Sequence, residues 1–215
     1  MKTIKGLPEQ VHLSNYAYLN IKNINKIRDD TENGVFGKAN GLWVSSYSKY
    51  RANTTGELSP WFVYTLYKIS AGLGAKPFIT HSKYAYLLEI SDRARLLEVE
   101  PKYEKEFLKK YAKHSFAKDY NINWKQLKEE YDGVHFRLKH NHFNFENFNT
   151  YPLYNIATES SVLFRPVVIN IEKIKNYNPL QIVLNMYHDI YAQTHEHYAF
   201  ILKGAYTYLK QYYKN

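Results

Sequence analysis

A histidine and a serine two residues apart, two adjacent serines behind a tryptophan, and two carboxylates beside short apolar runs are the side chains here best suited to chemistry. They stand in four stretches: Val11 to Asn15 (VHLSN), Gly41 to Ser46 (GLWVSS), Tyr131 to Phe136 (YDGVHF) and Thr158 to Pro166 (TESSVLFRP). Each reads as a short apolar strand ended or interrupted by a polar residue that packing alone does not demand. Together they could line one cleft. Alternation in a strand sends His12 and Ser14 to one face, where imidazole and hydroxyl can hold a hydrogen-bonding ligand. Asp132 and Glu159 are the two carboxylates that stand beside these apolar runs. Gly133 permits a tight turn that would aim Asp132; Glu159 leads the run Val162, Leu163, Phe164. Plainer readings stand beside these. His12 fits an exposed strand edge, Trp43 a core ring before a polar turn, Asp132 an ordinary turn and Glu159 a loop end.

Other chemistries find little footing. The chain has no cysteine, which excludes disulfides, thiolate nucleophiles and cysteine-ligated zinc or iron–sulfur centres. GxxxxGK, GxGxxG and GxSxG are absent, and AGLGAK around Gly72 and Gly74 lacks the strand-to-helix setting of a phosphate loop. His135, His140 and His142 form one group and His188, His195 and His197 another, neither with the spacing of HExxH. These histidines read as solvent-facing, and no metal is expected.

The elements that must position the candidates are legible in outline. A strand opens at Val11, and Leu19, Ile21, Ile24 and Ile27 follow at helical spacing; Asp29 to Gly37 reads as a connector. Leu42 to Val44 is an apolar strand core, and Ser45 to Glu57 a polar loop. Ser59 caps a helix that Pro60 opens, with Phe62, Val63, Leu66 and Ile69 on one face and Gly72 and Gly74 to end it. Trp61 then serves as a packing residue between helix and sheet or as an aromatic cleft wall. Lys83 to Ile90 and Ala94 to Val99 are strands around a turn at Ser91 to Arg93, Tyr103 to Tyr111 is a surface helix, and Asn123 caps a short helix through Leu127. Gly133 to Leu138 alternates as a half-buried strand does. Ser161 to Ile171 reads as a more central strand interrupted by Pro166. From Asn178 a cap and Pro179 begin a helical tail, with Ile182, Val183, Met186 and Ile190 inward. Gly204 breaks or bends the remainder, which carries Phe200, Ile201, Ala205 and Leu209 on one face.

With 215 residues and 45% apolar content the chain suits one α+β domain: a body over residues 1–176 and a helical extension over 177–215. No apolar run approaches the roughly 18 residues of a membrane span, and no secretory leader pattern opens the chain. A cytoplasmic protein is expected, and export by a route needing no such leader is compatible with the sequence. The formal charge of +9, from 29 basic and 20 acidic residues, would draw phosphate-rich ligands, and, with lysine spread along the chain rather than massed in one tract, it equally suits a solvated basic surface. The 22 tyrosines, several interleaved with lysine in YTYLKQYY, suit stacking on bases or amphipathic cover for a core.

The order of the motifs resembles the nicotinamide-binding elements of the ADP-ribosyltransferase superfamily, in its toxin-like or phage-encoded members. VHLSN is similar to a first motif that begins with histidine, and GLWVSS to a second motif whose strand-borne hydroxyl shapes the nicotinamide pocket. The tyrosine expected at the second motif of that branch is not at the matching place, although Tyr47 follows at once. YDGV followed by a glutamate that leads an apolar strand is similar to the third. The resemblance covers short segments between Val11 and Pro166 and none of the C-terminal helices. It implies a fold of split mixed sheets around a cleft, with NAD as co-substrate. It also implies roles: His12 for the ribose hydroxyls, Ser14 for the carboxamide, Trp43 beside the nicotinamide, and Ser45 or Ser46 in support of the acid. Glu159, with Asp132 as the competing assignment, would hydrogen-bond the ribose 2-hydroxyl and stabilise an oxocarbenium-like sugar. The expected reaction is ADP-ribose transfer to an unidentified protein or nucleic-acid acceptor. Two further expectations belong to other classes: a basic nucleic-acid-binding module without catalysis, and a phage or mobile-element accessory protein that contacts a host protein.

Overall fold

A computed structural model of the chain describes residues 1–20, 41–47, 59–62, 83–114, 120–137, 159–188 and 196–212. In chain order these carry β1 (Lys2–Lys5), β2 (Gln10–Ser14), β3 (Leu42–Ser46), β4 (Tyr84–Ile90), β5 (Arg95–Val99), α1 (Glu104–Tyr111), β6 (Ala112–His114), β7 (Tyr120–Ile122), α2 (Trp124–Glu130), β8 (Gly133–Phe136), β9 (Ser160–Leu163), β10 (Val168–Lys173), α3 (Pro179–His188) and α4 (Glu196–Tyr212). The architecture is α+β. The helical pattern over Ile21 to Ile27, the connector Asp29 to Gly37, the loop residues 48–57, the helix beyond Phe62, and His140, His142, Ile190 and His195 lie outside the described residues.

The contacts group into two units: Met1–Pro8, Asn20–Val44 and Glu89–Asn170 form the first, and Glu9–Leu19, Ser45–Leu88 and Ile171–Asn215 the second. In the first unit β1 pairs antiparallel with β5, β5 parallel with β8, β8 antiparallel with β9, and β9 antiparallel with the opening residues of β3. Alternation sends Leu97, Val99, Val134, Phe136 and Val162 to one face. There they meet Phe107 and Tyr111 of α1 and Trp124 and Leu127 of α2 in one apolar cluster. Asn123 caps α2 through its side-chain oxygen, which accepts from the Gln126 amide at 3.3 Å, and that helix runs past Leu127 to Glu130.

At Gly133 the backbone of β8 runs close against β9. A Cβ there would stand 2.5 Å from the Val162 carbonyl oxygen and 2.8 Å from Leu96 Cδ2, so only glycine fits without a backbone shift. Both faces of β8 are buried, which corrects the half-buried strand expected from its alternation. α1 and α2 cover the face that carries Val134 and Phe136, and His135 on the other face is buried as well.

In the second unit β2 pairs antiparallel with β4 and with the closing residues of β3. Val11, Leu13 and Ala85 meet Phe62 and the helical residues Val183, Met186, Leu202, Ala205 and Leu209 in a second apolar cluster. Asn178 caps α3 by accepting from the Leu180 and Gln181 amides at 3.0 and 3.2 Å. The strand expected over Ser161 to Ile171 is two strands, because the chain bends at Arg165 and Pro166. Only β9 is buried throughout; β10 is largely exposed. Gly204 neither breaks nor ends α4, which continues to Tyr212. Phe200 is 70% exposed instead of inward, since Leu202, Ala205 and Leu209 take the buried stripe.

Candidate functional site

Strand register in the first unit lays polar side chains in a row across four strands. Lys2 stands opposite Glu98, Glu98 opposite His135, and His135 opposite Ser161. They occupy the face turned away from Leu97, Val134 and Val162, because they alternate with them. His135 is 6% exposed and Ser161 is fully buried. Burying polar groups is costly unless they are paired, and these are. His135 Nδ1 lies 2.8 Å from Ser161 Oγ and 3.6 Å from Glu159 Oε1. Glu98 is buried between two cations that reach in from solvent, with Lys2 Nζ 2.8 Å from its Oε2 and Arg137 Nη1 3.5 Å from its Oε1. Burial pushes the His135 pKa down, and this outweighs the carboxylates of Glu159 and Glu98, which pull it up. At neutral pH the ring is therefore uncharged, and its contact with Glu159 is that of a dipole with a carboxylate.

Glu159 directly precedes β9, and its side chain is 18% exposed. Asp132, the competing carboxylate, is engaged at both oxygens. Its Oδ2 accepts from the Arg95 amide at 2.8 Å and its Oδ1 lies 3.1 Å from Arg165 Nη1. Arg165 also donates to the Lys128 carbonyl at 3.0 Å, while the Asp132 carbonyl accepts from the Phe164 amide at 2.8 Å. Asp132 is thus a clamp that joins the start of β5, the end of α2 and the chain after β9.

Trp43 is half-buried on the apolar face of the first unit, its ring edge-to-face with Trp124 at 6.4 Å between centroids. Its register partner is Val162, so on β3 and β9 it stands on the face opposite Ser161.

The remaining candidates belong to the second unit. Val11 and Leu13 enter the apolar cluster, which leaves Gln10, His12 and Ser14 on the other face of β2. His12 is half-buried opposite Tyr86, whose hydroxyl donates to the Tyr16 carbonyl at 2.7 Å. Ser14 is buried, and its Oγ accepts from the Tyr16 amide at 3.1 Å, closing the turn after β2. Ser45 and Ser46 face opposite sides. Ser45 Oγ accepts from the Trp61 amide at 3.4 Å, next to the helical turn that Pro60 opens and Ser59 caps; Ser46 Oγ accepts from Gln10 Nε2 at 3.3 Å. Tyr47 and Trp61 pack against the apolar cluster, and burial raises the Tyr47 hydroxyl pKa, with Glu9 and Glu172 adding to it.

The structure therefore brings Glu159 together with His135 and Ser161, Ser46 with Gln10, and Ser45 with the Trp61 amide, and it leaves Ser45 and Ser46 on opposite sides of β3. His135 corrects the expectation of a solvent-facing histidine; His188 in α3 is exposed as expected. The signal for His135 was present in GVHF, where one polar residue interrupts an apolar strand. Gln10 was equally readable, since it precedes VHLS by the spacing that puts it beside His12 and Ser14. Among the described residues no three metal-ligating side chains converge, and no helix is long and apolar enough to cross a membrane. Comparison with protein-family models, curated proteins and solved structures finds no match to this chain.

Proposed function

We propose that the chain transfers ADP-ribose from NAD to a macromolecular acceptor, with Glu159 as the catalytic carboxylate. One observation carries the choice of residue: Glu159 Oε1 lies 3.6 Å from the buried imidazole of His135, whereas the Asp132 carboxylate holds the Arg95 amide and the Arg165 guanidinium in a structural clamp. The order of the motifs supports the reaction class. In the reaction the bond between ribose C1′ and the nicotinamide nitrogen breaks, and its electron pair leaves with nicotinamide. A nucleophile on the acceptor forms the new bond to C1′ and gives up its proton. The sugar carries positive charge in the transition state, and a fixed carboxylate stabilises it there.

Incubating the full chain with labelled NAD and a cell lysate, and following nicotinamide release alongside, tests this. Label on a macromolecule that falls by roughly 100-fold or more in Glu159→Gln is the expected result. Equal labelling by the intact chain and Glu159→Gln overturns the assignment. No label and no nicotinamide from any extract overturns the reaction.

A further inference from the structure

We infer that His135 is a positioning residue for Glu159: its Nδ1–H, shared with the Ser161 hydroxyl, fixes where the carboxylate stands at the start of β9. The inference rests on the reading of Glu159 as the catalytic carboxylate, and deepens it.

The geometry has three parts. His135 Nδ1 is the ring atom that faces both Ser161 Oγ, at 2.8 Å, and Glu159 Oε1, at 3.6 Å. A bare nitrogen lone pair turned toward a carboxylate is repelled and an N–H is attracted, so the tautomer protonated at Nδ1 is the one this arrangement selects. Nδ1–H then donates to Ser161 Oγ, and the Ser161 hydroxyl proton is left to donate elsewhere. Pairing with Glu98 on β5 and Ser161 on β9 fixes the backbone of His135, and burial together with the 2.8 Å contact to Ser161 Oγ restrains the ring.

Among the described residues, three charged side chains act on the ring besides that of Lys2 behind them. Glu98 faces it from β5 and is held by Lys2 of β1; Arg137 follows at the end of β8; Glu159 stands at the head of β9. Apolar residues at 135 and 161 would fill the same positions without the cost of desolvating an imidazole and a hydroxyl. What the pair supplies instead is a buried dipole 3.6 Å from Glu159 Oε1.

The test uses the full chain with ring-¹⁵N-labelled histidine, the His135 signals being assigned by their loss in His135→Gln. The expected spectrum shows the Nδ1-protonated tautomer at neutral pH. In Glu159→Gln the ring loses an anion that favours its charged form, so its midpoint falls. A ring protonated at Nε2, or a midpoint that Glu159→Gln leaves in place, overturns the inference. In steady-state nicotinamide release, His135→Leu lowers kcat roughly tenfold with KM for NAD unchanged, and His135→Gln, which keeps an N–H donor, recovers part of the loss. An unchanged kcat in folded His135→Leu also overturns it. If the intact chain releases no nicotinamide, the proposed transfer fails while the ring spectra still decide whether His135 orients Glu159.

Discussion

At the scale of single residues, the two carboxylates that look alike in sequence differ in their surroundings. Asp132→Ala removes the acceptor for the Arg95 amide and the partner of Arg165, so it is expected to cost about 2 kcal/mol of stability in denaturant unfolding. Its nicotinamide release per folded molecule should stay close to that of the intact chain. Glu130 shows another fate for a carboxylate. The Tyr111 hydroxyl at 2.7 Å, Gln126 Nε2 at 2.8 Å and Lys110 Nζ at 2.9 Å hold its pKa down at about 2, from an ordinary value of 4.5. The folded state binds this proton less readily than the unfolded one, so the stabilisation is complete above pH 4.5 and disappears as pH falls toward 2. Denaturation midpoints measured across that window should fall less steeply in Glu130→Gln. His135 has the same sign for a different reason: burial keeps it neutral, so acidification below its ordinary value of 6.5 favours the unfolded chain.

At the scale of elements, β8 is the strand on which the first unit turns. Gly133→Ala would push a methyl group against the Val162 carbonyl, which belongs to the backbone and cannot swing aside, and a loss of about 3 kcal/mol is expected in thermal or denaturant melts. Replacing the α2 cap in Asn123→Ala should cost about 1 kcal/mol. On α4 the contrast is sharper: Leu202→Ala opens a cavity in the second apolar cluster and should cost about 3 kcal/mol, whereas Phe200→Ala should stay within about 0.5 kcal/mol. Equal effects at the two positions would mean that the helix presents a different face. Gly204 in the same helix shows why a lone glycine is a poor stop signal. Its penalty is about 1 kcal/mol, and packing at Leu202, Ala205 and Leu209 outweighs it.

At the scale of the whole molecule, two apolar clusters divide the work of folding, and the boundary between their units falls inside strands: β3 leaves the first unit after Val44, and β4 leaves the second after Leu88. No change in composition marks such a boundary. The formal charge of +9 acts on any phosphate-bearing ligand, so under the proposed transfer from NAD, raising ionic strength from about 0.05 to about 0.2 M should raise KM for NAD roughly two- to threefold with little change in kcat. Short-range rules made the caps at Ser59, Asn123 and Asn178, the strands around Ser91 to Arg93 and the α+β class readable from sequence, because each depends on a few neighbouring residues. The clamp at Asp132, the burial of His135 and the opposite faces of Ser45 and Ser46 depend on which strands lie alongside. Strand pairing joins residues far apart in the chain, such as Glu98, His135 and Ser161, and no local pattern encodes that register. The sequence by itself determined where elements begin, which face of each is apolar and which side chains are polar without need. Only the tertiary structure decided which of those polar groups meet, because burial and partnership are set by the neighbouring strand.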